Sequence, residues 1–208
     1  MLRPCLKVLP LLGILALPLF GQGQAKNPNS FGTPKFELFT GYSYRRTRML
    51  NPCTVFYSSS CAMQRPAWEN AHGWALGLTY NFHPHIGVAT DLSAQYQRVF
   101  EPSMTLGGAL LGYDRDFRAT VQLLAGPRFS LRSGRVTQFA HVMLGGYRNV
   151  PSSYGADFAM GLGGGVNVDL TKRLSVRAFQ ADFIPVKEDL LWRGHTRVQT
   201  GLVLNFGR

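Results

Sequence analysis

The chain has 208 residues, a one-domain length, and a formal net charge of +11 from 17 Arg and 5 Lys against 11 acidic residues. Its 23 glycines and 12% aromatic content favour strands and tight turns over helices. Only 16% of residues are charged, below the roughly 25% usual in soluble domains, which argues against a globule bounded by water alone.

The first element is a secretory signal. Arg3 and Lys7 form a positive head, residues 8–20 an apolar run, and Gly21, Gly23 and Ala25 supply the small residues of a cleavage site. Cleavage is expected after Ala25, with a cut after Gly23 as the alternative. The run is too short for a membrane helix and carries Pro10 and Pro18. Cys5 precedes it and is badly placed to become a lipidated N-terminus. Export removes nucleic acid as a counterpart of the basic charge, which falls to +9 without Arg3 and Lys7. Anionic lipid and lipopolysaccharide phosphate replace it, and Arg is suited to both. The predicted organisation is a signal peptide over 1–25, a short linker over 26–35 and a barrel over 36–208.

Beyond residue 25 the recurring signal is alternation of apolar and polar residues in segments of about 10, the span a tilted strand needs to cross a bilayer. In chain order, 36–45 sets Phe36, Leu38, Tyr42 and Tyr44 against Glu37, Gly41, Ser43 and Arg45. Segment 72–82 sets Trp74, Leu76, Leu78, Tyr80 and Phe82 against Gly73, Ala75, Gly77, Thr79 and Asn81. Segment 86–97 sets Ile86, Val88, Leu92 and Tyr96 against Gly87, Ala89, Asp91, Ser93, Gln95 and Gln97. Segment 120–130 sets Val121, Leu123, Ala125 and Phe129 against Gln122, Gly126, Arg128 and Ser130. Segment 136–150 is apolar on both faces, so its frame is open. Segment 154–170 sets Phe158, Met160, Leu162, Val166 and Val168 against Asp157, Gly161, Gly163, Gly165, Asn167 and Asp169. Segment 174–183 begins with Arg177 on the polar face but has Gln180 and Asp182 on the other, a break that a β-bulge near Phe179 would repair. Segment 197–206 closes with Val198, Thr200, Leu202, Leu204 and Phe206 against Arg197, Gln199, Gly201 and Asn205.

These segments predict an all-β fold, an eight-stranded antiparallel up-and-down transmembrane β-barrel. Short turns at 83–85, 132–135 and 171–173 alternate with longer connections at 46–71, 99–117, 151–153 with its flanks, and 186–194. That alternation is the outer-membrane pattern, with short turns and both termini on the periplasmic side. A soluble barrel would carry Lys and Glu outside, whereas this polar face is mostly Gly, Ala, Ser, Thr, Asn and Gln, fitted to a crowded lumen. Rings toward several strand ends and aliphatics between them match two interfacial girdles.

The Ala125-Gly126-Pro127-Arg128-Phe129 strand, the run of 161–165 and the Arg177, Gln180, Asp182 strand resemble the OmpA-like outer-membrane β-barrel domain family, as does the closing Leu204-Asn205-Phe206-Gly207-Arg208. The resemblance covers about residues 36–208. It implies an outer-membrane location in a Gram-negative-type envelope. It also implies that Phe206 serves as the terminal aromatic read by the barrel-assembly machinery, although Gly207 and Arg208 follow it here. No peptidoglycan-binding domain is expected after the barrel.

The candidate lumen network is Glu37, Arg45, Asp91, Arg128, Asp157, Arg177, Asp182 and Arg197, whose charges must pair if they face inward. A plug of satisfied side chains is the expectation, with a narrow ion path as its rival. Cys53 and Cys61 are expected to form a disulfide within the first long loop. Arg46, Arg48, Arg118, Arg148 and Arg193 form a candidate rim for lipopolysaccharide. That loop also holds Phe56, Tyr57, Arg65 and Trp68, residues typical of binding surfaces. No cofactor is called for. His83 and His85 are too few for a metal site, and the glycine run at 161–165 lacks the Lys-Ser/Thr of a phosphate loop. His141 and His195 are the residues an interfacial lipid-modifying enzyme would use, but no motif forces catalysis. The expected function is a monomeric, non-enzymatic barrel with a structural or surface-interaction role. A low-conductance porin is the first alternative and a lipid-modifying enzyme the second.

Overall fold

The computed structural model describes residues 32–48, 68–104, 110–150, 155–188 and 191–207. The signal segment, most of the linker, and the Cys53 and Cys61 pair lie outside these residues. Eight strands follow one another: β1 (Phe36–Arg48), β2 (Trp68–Asn81), β3 (Ile86–Met104), β4 (Leu110–Ser133), β5 (Val136–Val150), β6 (Asp157–Asp169), β7 (Leu174–Glu188) and β8 (Leu191–Phe206). Each pairs antiparallel with the next, and β1 closes on β8 from Phe36 opposite Phe206 to Thr47 opposite His195. Closure leaves the barrel wall without an edge strand.

Alternation sorts the two faces. Glu37, Ser43, Arg45, Thr79, Asp91, Gln95, Gln122, Arg128, Gln199 and Asn205 are buried in the barrel. Phe36, Tyr42, Trp74, Leu76, Leu78, Tyr80, Leu123 and Phe206 are exposed on its outer wall. One outward row runs across the ladders from Leu76 through Leu92, Leu123, Gly146, Phe158 and Lys187 to Trp192, so registry holds across seven strands.

The two open frames resolve for different reasons. In β5 the inward side chains are Phe139, His141, Met143 and Tyr147, while Val142 and Leu144 face out. Both faces read as apolar because this wall fills the lumen with large apolar groups. In β7 the register slips between Arg177 and Gln180 against β8, with a matching slip against β6 at Val166 and Asn167. Ala178 and Phe179 both face outward, so Arg177, Gln180 and Asp182 all face inward. This is the bulge expected near Phe179.

Two expected connections are corrected. Most of 99–117 is strand: β3 reaches Met104 and β4 starts at Leu110, paired from Gln97 opposite Arg118 to Met104 opposite Leu110. Beyond Tyr96 and Ala119 these strands pair only with each other, forming a two-stranded ribbon roughly 20–25 Å long at about 3.3 Å per residue. The segment 186–194 is likewise mostly strand, since β7 and β8 pair to Glu188 opposite Leu191. Pro185 lies inside this paired stretch. It pairs with Gly194 on one side, while neither it nor Ile184 has a partner in the β6 ladder, so its missing N–H is tolerated. The short turn between β4 and β5 uses Gly134 at a φ of 60°, a left-handed conformation that glycine adopts without strain.

Candidate functional site: the filled lumen

The centre of the lumen is organised by Arg197. Its Nε and Nη2 donate to Asp182 Oδ2 at 3.0 and 2.8 Å, and its Nη1 reaches Asp91 Oδ1 and Ser93 Oγ. Gln199 donates to the other Asp91 oxygen at 3.2 Å. His141 Nε2 lies 2.9 Å from Asp182 Oδ1, and Gln180 Nε2 donates to Asp182 Oδ2 at 2.9 Å. Strands β3, β5, β7 and β8 therefore meet through one guanidinium and two carboxylates, all nearly without solvent contact. Charge-assisted bonds in so dry a site are strong, and equally costly to leave half made. A Cβ at position 163 would run into Asp182 Oδ1, so the glycine run on β6 leaves room for this carboxylate.

Toward the rim that carries the termini, Glu37 holds a second network. Arg128 Nη1 and Arg132 Nη2 lie 2.9 and 3.0 Å from its two oxygens, and Asn81 donates at 2.9 Å. Arg128 also donates to Thr79 Oγ1 at 3.0 Å. Arg177 lies between the two networks, donating to Asn167 Oδ1 at 3.1 Å and to Gln180 Oε1. Its Cζ sits 3.9 Å from the Phe39 ring centre. Toward the opposite rim, Arg45 meets hydroxyls: Thr120 Oγ1 at 3.1 Å and the Tyr147 phenol. His195 Nδ1 pairs with Thr47 Oγ1 at 2.7 Å and its ring stacks on Tyr147.

Apolar side chains fill what the polar ones leave. Leu124, Met143, Tyr147, Ala159, Ile184 and Val186 form one buried cluster, and Phe39, Ala75 and Val203 another. A cavity of about 20 Å³ remains among Gly77, Asp91, Arg128, His141 and Arg177.

Of the network proposed from sequence, Glu37, Asp91, Arg128, Asp182 and Arg197 join through ion pairs, and Arg177 and Arg45 through neutral partners. Asp157 stands apart, half-buried at the far end of β6 opposite Tyr147. Three participants were missed. Arg132 belongs to β4 and not to the turn expected over 132–135, and it continues the inward parity of Arg128 and Ser130. His141 lay in the strand without a fixed frame. His195 lies toward the rim away from the termini with its ring buried in the lumen, and neither histidine faces the outside of the barrel.

On the outer wall, Arg46 and Arg148 project outward, Arg46 with its Cζ 4.4 Å over the Trp68 ring. Arg118 and Arg193 occupy positions of lumen-facing parity beyond the barrel's core, and the Arg48 side chain lies outside the described residues. His72 is exposed and bonded to the Tyr42 hydroxyl, and His83 and His85 lie in the exposed turn after β2. No group of three or more metal-capable side chains occurs among the described residues.

No family model and no curated protein matches the sequence. Solved structures do match. The outer membrane protein OprG from Pseudomonas aeruginosa aligns with a TM-score of 0.55 at 10% identity, covering 88% of this chain and 100% of that one. Neisserial surface protein A aligns at 0.53 and 11% identity, covering 84% and 99%. The outer membrane protein AlkL, solved in lipid bilayers, aligns at 0.50 and 10% identity, covering 90% and 97%. The likeness is one of fold: the chain is a closed eight-stranded antiparallel barrel of the kind these proteins share.

Proposed function

We propose that this chain is an exported outer-membrane barrel of the OmpA-like kind, with a plugged lumen, no enzymatic activity and a structural or surface-interaction role. The observation that carries this reading is the pairing of an apolar exterior with a polar, filled interior. Water-soluble proteins rarely expose a contiguous apolar surface of this extent. Here the outer wall is aliphatic at mid-height, with Leu76, Leu78, Leu123, Leu144, Leu162 and Leu202, and ringed at both ends. One ring holds Phe36, Tyr80, Phe82, Phe129 and Phe206, the other Tyr42, Trp74, Tyr96, Phe158 and Trp192. Such a wall suits a hydrocarbon band between two interfaces. The ribbon of β3 and β4 would rise from the cell-surface rim and offer a platform for a partner. Arg46 and Arg148 would face lipopolysaccharide phosphates, and Phe206 would serve assembly.

Two measurements test the reading. The refolded protein should migrate differently in SDS gels before and after boiling, and it should give no discrete conductance steps in planar bilayers. Absence of the gel shift together with a soluble cellular fraction would remove the membrane assignment. Reproducible steps would replace the plugged barrel with a low-conductance porin.

A further inference from the structure

We infer that the barrel holds one monovalent anion of chloride size in its internal cavity, between Arg128 and Arg177. This goes beyond the proposed function and needs no open path through the lumen. Both guanidiniums line the cavity, together with Gly77, Thr79, Asp91 and Gln180. Both also flank one ring, with Cζ atoms 4.0 and 4.9 Å from the centre of Phe139.

Arg128 is 1% exposed and uses Nη1 for Glu37 and Thr79. Its Nε and Nη2 find no acceptor among the described residues. Orphaned donors on a buried charge are rare because each keeps its full desolvation cost. Arg177 is 5% exposed and has neutral acceptors only, Asn167 and Gln180, with no carboxylate in ion-pair contact among the described residues. Phe39 and Phe139 offset part of that cost through their ring faces.

Charge decides between an anion and a water. Two guanidiniums, Arg128 and Arg177, line the cavity against one carboxylate, Asp91, which Arg197 already engages, while Glu37, the partner of Arg128, is shared with Arg132. A water can accept the orphaned N–H bonds but leaves one buried positive charge uncompensated, which is the costlier defect. Size limits the occupant: roughly 10–15 Å³ suffices for one water, so about 20 Å³ takes a single compact ion and excludes sulfate or an organic anion.

The test is the thermal midpoint of the boiling-sensitive gel shift for refolded full-length protein. Midpoints are compared in sodium chloride, bromide and gluconate at equal ionic strength. Halide should raise the midpoint by about 3 °C or more over gluconate. The response should vanish in Arg177→Met, which keeps the volume and removes the charge, and persist in Arg46→Gln on the outer wall. Equal midpoints in halide and gluconate for the natural sequence would overturn the site, as would a halide response that survives in Arg177→Met. If Arg177→Met does not refold, anomalous scattering from bromide-grown crystals of the natural protein decides. A peak between the two guanidiniums supports the site, and water or empty density there rejects it.

Discussion

Asp182 is the side chain on which the lumen most depends, because Arg197, His141 and Gln180 all turn to it. Asp182→Ala leaves Arg197 with Asp91 and Ser93 and strips His141 of its carboxylate partner. Removing one member of a buried pair costs about 3–5 kcal/mol, so the urea midpoint of the refolded barrel should fall sharply. Exchange of an outer-wall residue such as Leu78→Ile should leave it nearly unchanged. A midpoint for Asp182→Ala within error of the parent would show that Asp91 and Ser93 suffice for Arg197. The charged residues of this network were legible from parity alone, because a one-residue slip would put a guanidinium into the apolar wall. Phe39, Phe139 and Met143 were not. An apolar residue facing a lumen and one facing lipid look the same in sequence, and only the closed backbone assigns their side.

At the scale of the element, β7 carries one residue more than its ladders need. From Arg177 to Gln180 it advances three positions while β8 advances two, from Gly201 to Gln199, and β6 two, from Asn167 to Gly165. Deleting Ala178 therefore restores a regular ladder on both sides with Arg177, Gln180 and Asp182 still facing inward. Such a deletion should refold and retain its gel shift. Deleting Val198 from β8, where the pairing is regular, should abolish the shift, since every residue on one side of the cut changes face. If the two deletions behave alike, the bulge has no part in keeping the frame. The bulge was legible because Gln180 and Asp182 broke the alternation. The ribbon of β3 and β4 was not legible, because two strands that pair only with each other outside the barrel wall need no apolar face.

For the whole molecule, the distribution of tryptophan gives a test of how the barrel sits in lipid. All three, Trp68, Trp74 and Trp192, project from the outer wall with 50%, 45% and 52% of their surface exposed. Trp68 and Trp192 lie at the strand ends away from the chain termini. Trp74 sits beside Tyr42, above the aliphatic belt. The opposite girdle has only phenylalanine and tyrosine. Indoles favour the interface, where the N–H stays wet and the ring is buried. Fluorescence in bilayers of brominated lipid should thus be quenched most by bromines close to the headgroup and less by bromines near the bilayer centre. Because Trp74 faces the belt more than Trp68 does, Trp74→Phe should weaken the deeper component and Trp68→Phe the shallow one. Quenching strongest at the bilayer centre would place the tryptophan girdle in the hydrocarbon and shift the barrel along its axis. No quenching by any brominated lipid, with full quenching by aqueous iodide, would mean that the apolar wall is covered by something other than a membrane.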